Sequence, residues 1–333
     1  MKRTPGGGRL RRRPAGGSGP DTPDRAAERA RSWHQPSSRA AAGASGVDVE
    51  RDVTVLVKTF QRPDALRRLV ASIRRFYPSI AVIVVDDSAE PLEPVPAGIT
   101  RYWHLPFDSL GVSAGRNFGL RHVETDYVLV CDDDMVFGRR TDLAKMVRAL
   151  TTTRFDVVSC MWMDHEPWRS IRRGYRRYEG TLEIADGVLV HRLGATRGTV
   201  DGLPVFDVVH QFFVARAEVL GPEPWDARLK IGGEHDEFFL ALKERGLLCT
   251  RLPDVVVYHY PELPLAYQAF RQNTAPYVQL FKEIRGFERR VTVGRLFRPT
   301  DQIVYGLPST AAATGRRAAR VARRLVREGR VRA

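Results

Sequence analysis

Three groups of acidic side chains fall where this chain turns from apolar run to loop. They are Asp86-Asp87 after Ile80–Val85, Asp132-Asp133-Asp134 after Tyr127–Val130, and Glu234, Asp236 and Glu237 where Gly232-Gly233 leads into a helical pattern. In an open α/β sheet the carboxyl ends of the strands form the ligand crevice. Adjacent carboxylates repel one another, so burying three of them without a counter-charge is costly. A divalent cation is the simplest compensation, and hard oxygen donors with one imidazole suit Mn²⁺ or Mg²⁺. His259, just past the run Val255–Tyr258, is placed to complete such a sphere. Plainer roles exist for some of these groups: an Asp-Asp pair commonly shapes a turn, and Asp236 and Glu237 suit the positive end of a helix. The aspartate trio is the hardest to explain in those terms.

The elements that must carry these groups alternate. Val53–Val57 reads as a strand, and Pro63 opens a helix whose Leu66, Leu69, Val70, Ile73 and Phe76 share one face. Strands follow at Ile80–Val85 and Tyr127–Val130, with a helix from Gly111 to Val123 between them. Thr141 can cap a helix over Asp142–Leu150, and Phe155–Ser159 is a further strand. Strands apolar on both faces, alternating with helices, predict an α/β fold with a mostly parallel central sheet between helices. Beyond residue 160, short segments at Thr181–Ile184, Val188–Val190 and Val205–Val209 predict a smaller antiparallel and loop region, where substrate contacts usually sit. Phe212–Ala215 reads as a buried strand, His235–Arg245 as a helix ended by Gly246, and Val255–Tyr258 as the last strand. Residues 264–290 read as helical.

The chain has 333 residues and a formal net charge of +14. Residues 1–50 hold ten basic and five acidic side chains and residues 316–333 hold eight and one, so the stretch between carries only +2. That body, with no recognised binding motif, argues against specific nucleic-acid recognition. The division predicted is a disordered Gly/Pro/Arg-rich tail at 1–51, a catalytic domain at 52–262 split near residue 160, a helical extension at 263–310 and an Arg-rich tail at 311–333. Val321 and Leu325 recur at helical spacing among arginines, a pattern suited to peripheral contact with an anionic membrane surface. No run of 18 or more apolar residues occurs, and three scattered cysteines form neither a disulfide framework nor a zinc spacing. The expected compartment is the cytoplasm, with the inner membrane face as the place of any peripheral contact.

The order of VTVLVKTFQRPDALRRLVASIRRFYPSIAVIVVDDS, LGVSAGRNFGL, YVLVCDDDMVF and IGGEHDEFFLALKERG resembles GT-A-type, family-2-like glycosyltransferases. More narrowly, the KTF-x-R, DDS, AGRN, triple-Asp and EFF elements are similar to the β-1,4-N-acetylgalactosaminyltransferases. The resemblance covers residues 52–260. It implies a GT-A-type domain that moves a sugar, such as an N-acetylhexosamine, from a UDP-sugar to a hydroxyl of a glycan, glycolipid or small molecule, with inversion. Thr59, Phe60 and Arg62 are then placed at the nucleotide, Asp86 or Asp87 at the uracil or ribose, and Arg116 at the diphosphate or base. Asp132 and Asp134 become the outer members of an Asp-x-Asp element holding ribose and metal, with Asp133 between them and His259 as the distant metal ligand.

Many inverting relatives carry an aspartate base after the Glu of Gly-Gly-Glu, where this chain has His235. An imidazole near neutral pKa can act as a general base. His235 is the favoured base, with Glu234, Asp236 and Glu237 as alternatives within one helical turn. Gln211 stands where the narrower family leads one to expect Asn. Two other functions compete: a sugar-nucleotide-forming nucleotidyltransferase, which should show a Gly-rich basic loop where this chain has KTFQRPD, and a nucleic-acid binder acting through its tails.

Overall fold

The computed structural model describes residues 46–294, apart from 108–109, 166–172 and 263, together with 297–298. Most of the expected N-terminal tail and the whole 311–333 tail lie outside the described residues. Residues 46–51 of that tail are described and do not follow the expectation of disorder. Asp48 caps a helical turn, α1 (Val49–Asp52), by accepting from the Glu50 amide, and Val49 is buried.

Strand β1 (Val53–Thr59) is buried along its whole length. It is followed by α2 (Pro63–Phe76), β2 (Ala81–Asp86), β3 (Arg101–His104), α3 (Gly111–Leu120), β4 (Tyr127–Asp132) and the two-residue β5 (Met135–Val136). Helix α4 (Leu143–Thr152) is capped by Asp142, whose carboxylate accepts from the Lys145 amide; the Thr141 hydroxyl instead donates to the Val256 carbonyl. After β6 (Val157–His165) come β7 (Arg173–Arg176), β8 (Gly180–Ala185), β9 (Val188–Leu193), and the short pair β10 (Thr199–Val200) and β11 (Leu203–Pro204). Residues 205–209, expected as a strand, make only isolated bridges. Then follow β12 (Phe212–Arg216), the turn α5 (Ala217–Leu220), α6 (Glu234–Glu244) and β13 (Cys249–His259). The described chain ends with α7 (Leu265–Arg271), α8 (Ala275–Arg285), β14 (Arg289–Val293) and β15 (Phe297–Arg298). Strand β13 is longer than its apolar end suggested and is not the last; Arg289–Val293 pairs with β9, its first two residues falling in the run expected as helix, and two adjacent arginines hide such a short edge strand from a hydropathy reading.

The expected α/β architecture is present. Strands β3, β2, β1 and β4 run parallel; β12 is inserted antiparallel between β4 and β6, and β13 runs parallel to β6. Successive residues of a strand face opposite sides of the sheet, so each strand feeds two cores. Val55 and Val57 join Leu66, Leu69 and Ile73 of α2 on one side, while Leu56 joins Val128, Val130, Phe213 and Phe238 on the other. No helix among the described residues is long and apolar enough to cross a membrane.

Helix α3 lies unusually close to β1. A Cβ on Gly119 would sit 2.3 Å from Leu56 Cδ1, and one on Gly115 would sit 2.5 Å from Lys58 Cδ. These glycines share a helix face at i, i+4, and their bare surface lets the helix bring Arg116 over the end of β4. Alanine at an exposed helix position is usually worth about 1 kcal/mol over glycine. Here the added methyl overpacks β1 at a cost of about 1–3 kcal/mol. Gly119→Ala is therefore expected to lower the urea midpoint; a rise would overturn the close-approach argument.

Candidate active site

Sheet register collects the acidic groups. Lys58 lies beside Asp132 and Thr59 beside Asp86 in the parallel ladders. His259 arrives from far along the chain because β13 pairs with β5, setting His259 against Met135, and the Tyr260 amide donates to the Asp134 carbonyl at 2.8 Å. His259 Nε2 ends 3.3 Å from Asp134 Oδ2, and its Nδ1 lies 2.7 Å from Asp164 Oδ1. Of the trio, Asp134 meets the imidazole.

The chain itself supplies much of the counter-charge. Arg62 donates to Asp134 Oδ2 at 2.6 Å and pairs with both oxygens of Asp133, while its guanidinium lies over the Tyr267 ring. Thr59 Oγ1 donates to Asp133 Oδ2 at 2.6 Å, and Arg116 Nη2 donates to Asp132 Oδ1 at 2.6 Å. The Lys58 ammonium pairs with Asp87 and donates to the Thr59 carbonyl; Asp87 also accepts from the Gly111 amide at 2.9 Å. Burial pushes Asp133 up to about 7 despite Arg62, and raises Asp132 against the pull of Arg116. For Asp134 burial acts the same way but is outweighed by Arg62 and His259, which hold it below the ordinary carboxylate range. Burial disfavours charge on His259, yet hydrogen bonds to Asp134 and Asp164 win and raise it to about 9.

The first turn of α6 splits into four environments. Gly232 and Gly233 both have positive φ, +83° and +89°, which side-chain-bearing residues resist, and so turn the chain sharply into the helix. Glu234 is half-buried, its carboxyl raised by burial against the field of Arg116. His235 faces inward, with Nδ1 2.5 Å from Gln211 Oε1 and Nε2 2.8 Å from the Val209 carbonyl; burial lowers it to about 3. Asp236 accepts from Tyr178 Oη at 2.6 Å and from Arg290 Nε at 2.7 Å. Burial works against its charge, but Arg290 and Tyr178 keep its carboxyl below the ordinary range. Glu237 pairs with Arg285 at 2.6 Å.

These groups surround a cavity of about 500 Å³. Thr59, Phe60, Arg62, Asp87, Arg116, Asp132, Asp134, Glu234, His235, Asp236 and His259 line it. Asp86, Asp133 and Glu237 are not among the lining residues. Asp86 instead accepts from Ser88 and from Tyr102 Oη, shaping the turn after β2, and Asp133 anchors Thr59 and Arg62 from beneath. Gln211, noted in the sequence, lines the space as well, and sequence reasoning missed Lys58, Trp162, Tyr178, Tyr267 and Arg290, which also line it. Lys58 carried a readable signal, a lone cation in an otherwise apolar strand. Tyr178, Tyr267 and Arg290 come from segments without a pattern.

As for metal, Asp134 and His259 stand as a pair of donors. Among the described residues no group of three or more His, Cys, Asp or Glu side chains is arranged so that all could hold one metal ion. Asp132, its side chain 27% exposed, is turned to Arg116.

The family model described as Glycosyl transferase family 2 matches residues 54–221. Among curated proteins, the chain is 32% identical to β-1,4 N-acetylgalactosaminyltransferase 2 of Mus musculus over 72% of this chain and 47% of that protein. It is 37% identical to β-1,4 N-acetylgalactosaminyltransferase 1 of Homo sapiens over 64% of this chain and 40% of that protein. The chain thus spans less than half the length of these relatives. Among solved structures, GalNAc-T7 with UDP, GalNAc and Mn²⁺ aligns at 13% identity and a TM-score of 0.49, over 73% of this chain and 56% of that one.

Arg62 is the group whose removal tests the charge arrangement. Arg62→Met strips the guanidinium from Asp133 and Asp134 while keeping much of the apolar stem. Breaking a buried pair from one side costs about 3–5 kcal/mol, and a loss of that order is expected in urea unfolding. Lysine should recover only part of it, since a point charge cannot span both carboxylates. Wild-type stability in Arg62→Met would refute the arrangement.

Proposed function

Because the chain belongs to glycosyl transferase family 2, with the α/β sheet expected of a GT-A-type domain, we propose that its cavity binds a UDP-sugar and transfers the sugar, an N-acetylhexosamine, to a hydroxyl acceptor with inversion. The observation that carries the reading is the meeting of Arg116–Asp132 with Asp134–His259–Asp164 at one end of a cavity that also holds a half-buried Glu234. Thr59, Phe60 and Asp87 line the side nearest β1 and β2, where we place the nucleoside. Glu234, Gln211, Trp162 and Tyr178 line the side nearest β6, β12 and α6, where we place the sugar and the attacking hydroxyl.

A Mn²⁺ or Mg²⁺ ion at Asp134 and His259 would have to replace the proton that His259 carries toward Asp134, leaving a neutral imidazole nitrogen and a carboxylate oxygen as its protein donors. Two ligand atoms 3.3 Å apart are close to the spacing of adjacent ligands around one ion, and Asp164 holds His259 Nδ1 so that Nε2 faces Asp134. Hard cations that also bind phosphate commonly take few protein ligands and fill the remainder with phosphate oxygens and water. Bound there, such an ion would supply positive charge to a departing diphosphate.

The chain's own residues do the rest. Arg116 and Arg62 offer fixed cations to the diphosphate as its bond to the anomeric carbon breaks and the electron pair moves to the leaving oxygen. We assign the base to Glu234 rather than to His235. Both ring nitrogens of His235 are engaged by the protein, Asp236 is held by Tyr178 and Arg290, and Glu237 is paired away from the cavity. Glu234 takes the acceptor proton as that oxygen attacks the face opposite UDP, and a carboxyl raised by burial is the stronger base for the task.

The test is UDP release by the purified chain across UDP-GalNAc, UDP-GlcNAc, UDP-Gal and UDP-Glc, with and without Mn²⁺. Release should require the cation and favour an N-acetylhexosamine donor. Glu234→Gln should lower kcat by about 10²–10⁴ while UDP affinity stays near wild type. A chain that neither binds UDP nor releases it from any of these donors would sink the proposal.

A further inference from the structure

His210, just before β12, stands in the cavity wall with its two ring nitrogens in different surroundings. Nε2 lies 2.9 Å from the Arg176 carbonyl and 3.5 Å from Glu179 Oε2. Glu179 is 1% exposed; burial works against its charge, but His210 and Arg251 hold its carboxyl down to about 2. A carbonyl and an ionised carboxylate only accept, so Nε2 carries the proton, and the pair behind it fixes the tautomer. Burial keeps the ring neutral against the pull of Glu179, which leaves Nδ1 as a bare lone pair. Trp162 packs on the ring at 4.7 Å between centroids and limits its rotation.

That lone pair meets no donor among the described residues. Nor is it sealed. Trp162 Nε1 is shut away without a partner, whereas His210 Nδ1 keeps an open surface, and the cavity is what this 2% exposed residue lines. An acceptor fixed in a buried ring and open on a cavity takes its donor from whatever fills the space. Strand β12 lies next to β4, whose end carries the Arg116-bound Asp132. Neighbouring strands are about 4.8 Å apart, so a sugar bonded to a diphosphate at that end falls against the β12 side. We propose that His210 contacts the transferred sugar: its Nδ1 accepts a hydrogen bond from a hydroxyl or amide N–H of that sugar, with the Arg176 carbonyl and Glu179 holding the tautomer from behind. The inference rests on the glycosyl-transfer reading and adds to it a group that recognises the sugar.

Two variants separate the lone pair from the rest of the ring. In His210→Gln the longer side chain reaches toward the Arg176 carbonyl and leaves no acceptor where Nδ1 stood. In His210→Asn the shorter amide sets its oxygen near the place of Nδ1. The experiment measures Kd for UDP, UDP-GalNAc and UDP-GlcNAc with wild type and both variants. Glutamine should weaken the better-bound UDP-sugar by about 10-fold and UDP alone by less than about twofold, and asparagine should recover most of the loss. Equal weakening of UDP and UDP-sugar, or UDP-sugar binding unchanged in the glutamine variant, would overturn the inference with glycosyl transfer intact. A wild type that binds neither UDP nor a UDP-sugar would instead overturn the underlying function. A second measurement needs no variant activity. In ¹⁵N-histidine NMR of the wild type, His210, assigned by loss of its signals in either variant, should show protonated Nε2 and bare Nδ1. Its Nδ1 signal should move upfield with the UDP-sugar and stay in place with UDP. An imidazolium, the opposite tautomer or an unmoved Nδ1 would overturn the inference as well.

Discussion

Asp133 and Asp134 are consecutive, buried and mutually repulsive, and the guanidinium of Arg62 lies against both. Arg62 sits just before α2, so the turn after β1 and the turn after β4 are tied by charge as well as by the β1–β4 ladder. Thr59 reaches the same carboxylate from the end of β1. Desolvating these groups is affordable only because each meets an opposite charge or a hydrogen-bond donor at close range. Around this clamp the remaining parts take their places: Arg116 on Asp132, Lys58 on Asp87, and His259 between Asp134 and Asp164.

The same contacts divide the cavity into two functional ends. Toward β1 and β2 the groups are suited to fixed cations and a nucleoside, with Phe60 stacked on Phe107 at 5.7 Å between centroids. Toward β6, β12 and α6 the wall becomes a cluster of rings and amides, where Trp162 packs against His210 and His259, and Tyr178 against His235. Between these ends lie the half-buried Glu234 and the arginine-bound Asp132, the carboxylates on which the proposed transfer draws. A rigid sheet end holding charge beside an aromatic wall is what transfer between two bound substrates needs, because both partners must be positioned together.

Much of this was legible from residue order. Acidic runs after apolar strands located the crevice, since strand ends in such a sheet lie on one edge, and His259 was identified at the end of the last apolar run. The assignment of counter-charge was less legible. Sequence offered a cation from solution as the simplest partner of the trio, whereas Arg62 and Arg116 come from helix starts and faces whose direction only packing determines. The first turn of α6 was also ambiguous. Residues 234 to 237 are too close in sequence for spacing to say which side chain meets the cavity, and the answer depends on Val209, Gln211, Tyr178 and Arg290 from other elements. Arg290 was the least legible: it ends the run expected as helix but lies in an edge strand opened by two arginines, and it reaches Asp236 at 2.7 Å.

That late strand has a bearing on how the protein comes into being. The cavity wall draws on Lys58 near one end of the folded body and on Arg290 near the other, and Phe281 packs where a Cβ on Gly233 would come within 2.9 Å. During ribosomal synthesis the sheet edge carrying the acidic trio can form long before the residues that close the far wall have emerged from the exit tunnel. A nascent chain paused after β13 would expose the pocket to water with Asp236 lacking its guanidinium. The pocket is therefore finished late in translation, and a half-made copy has no closed chamber.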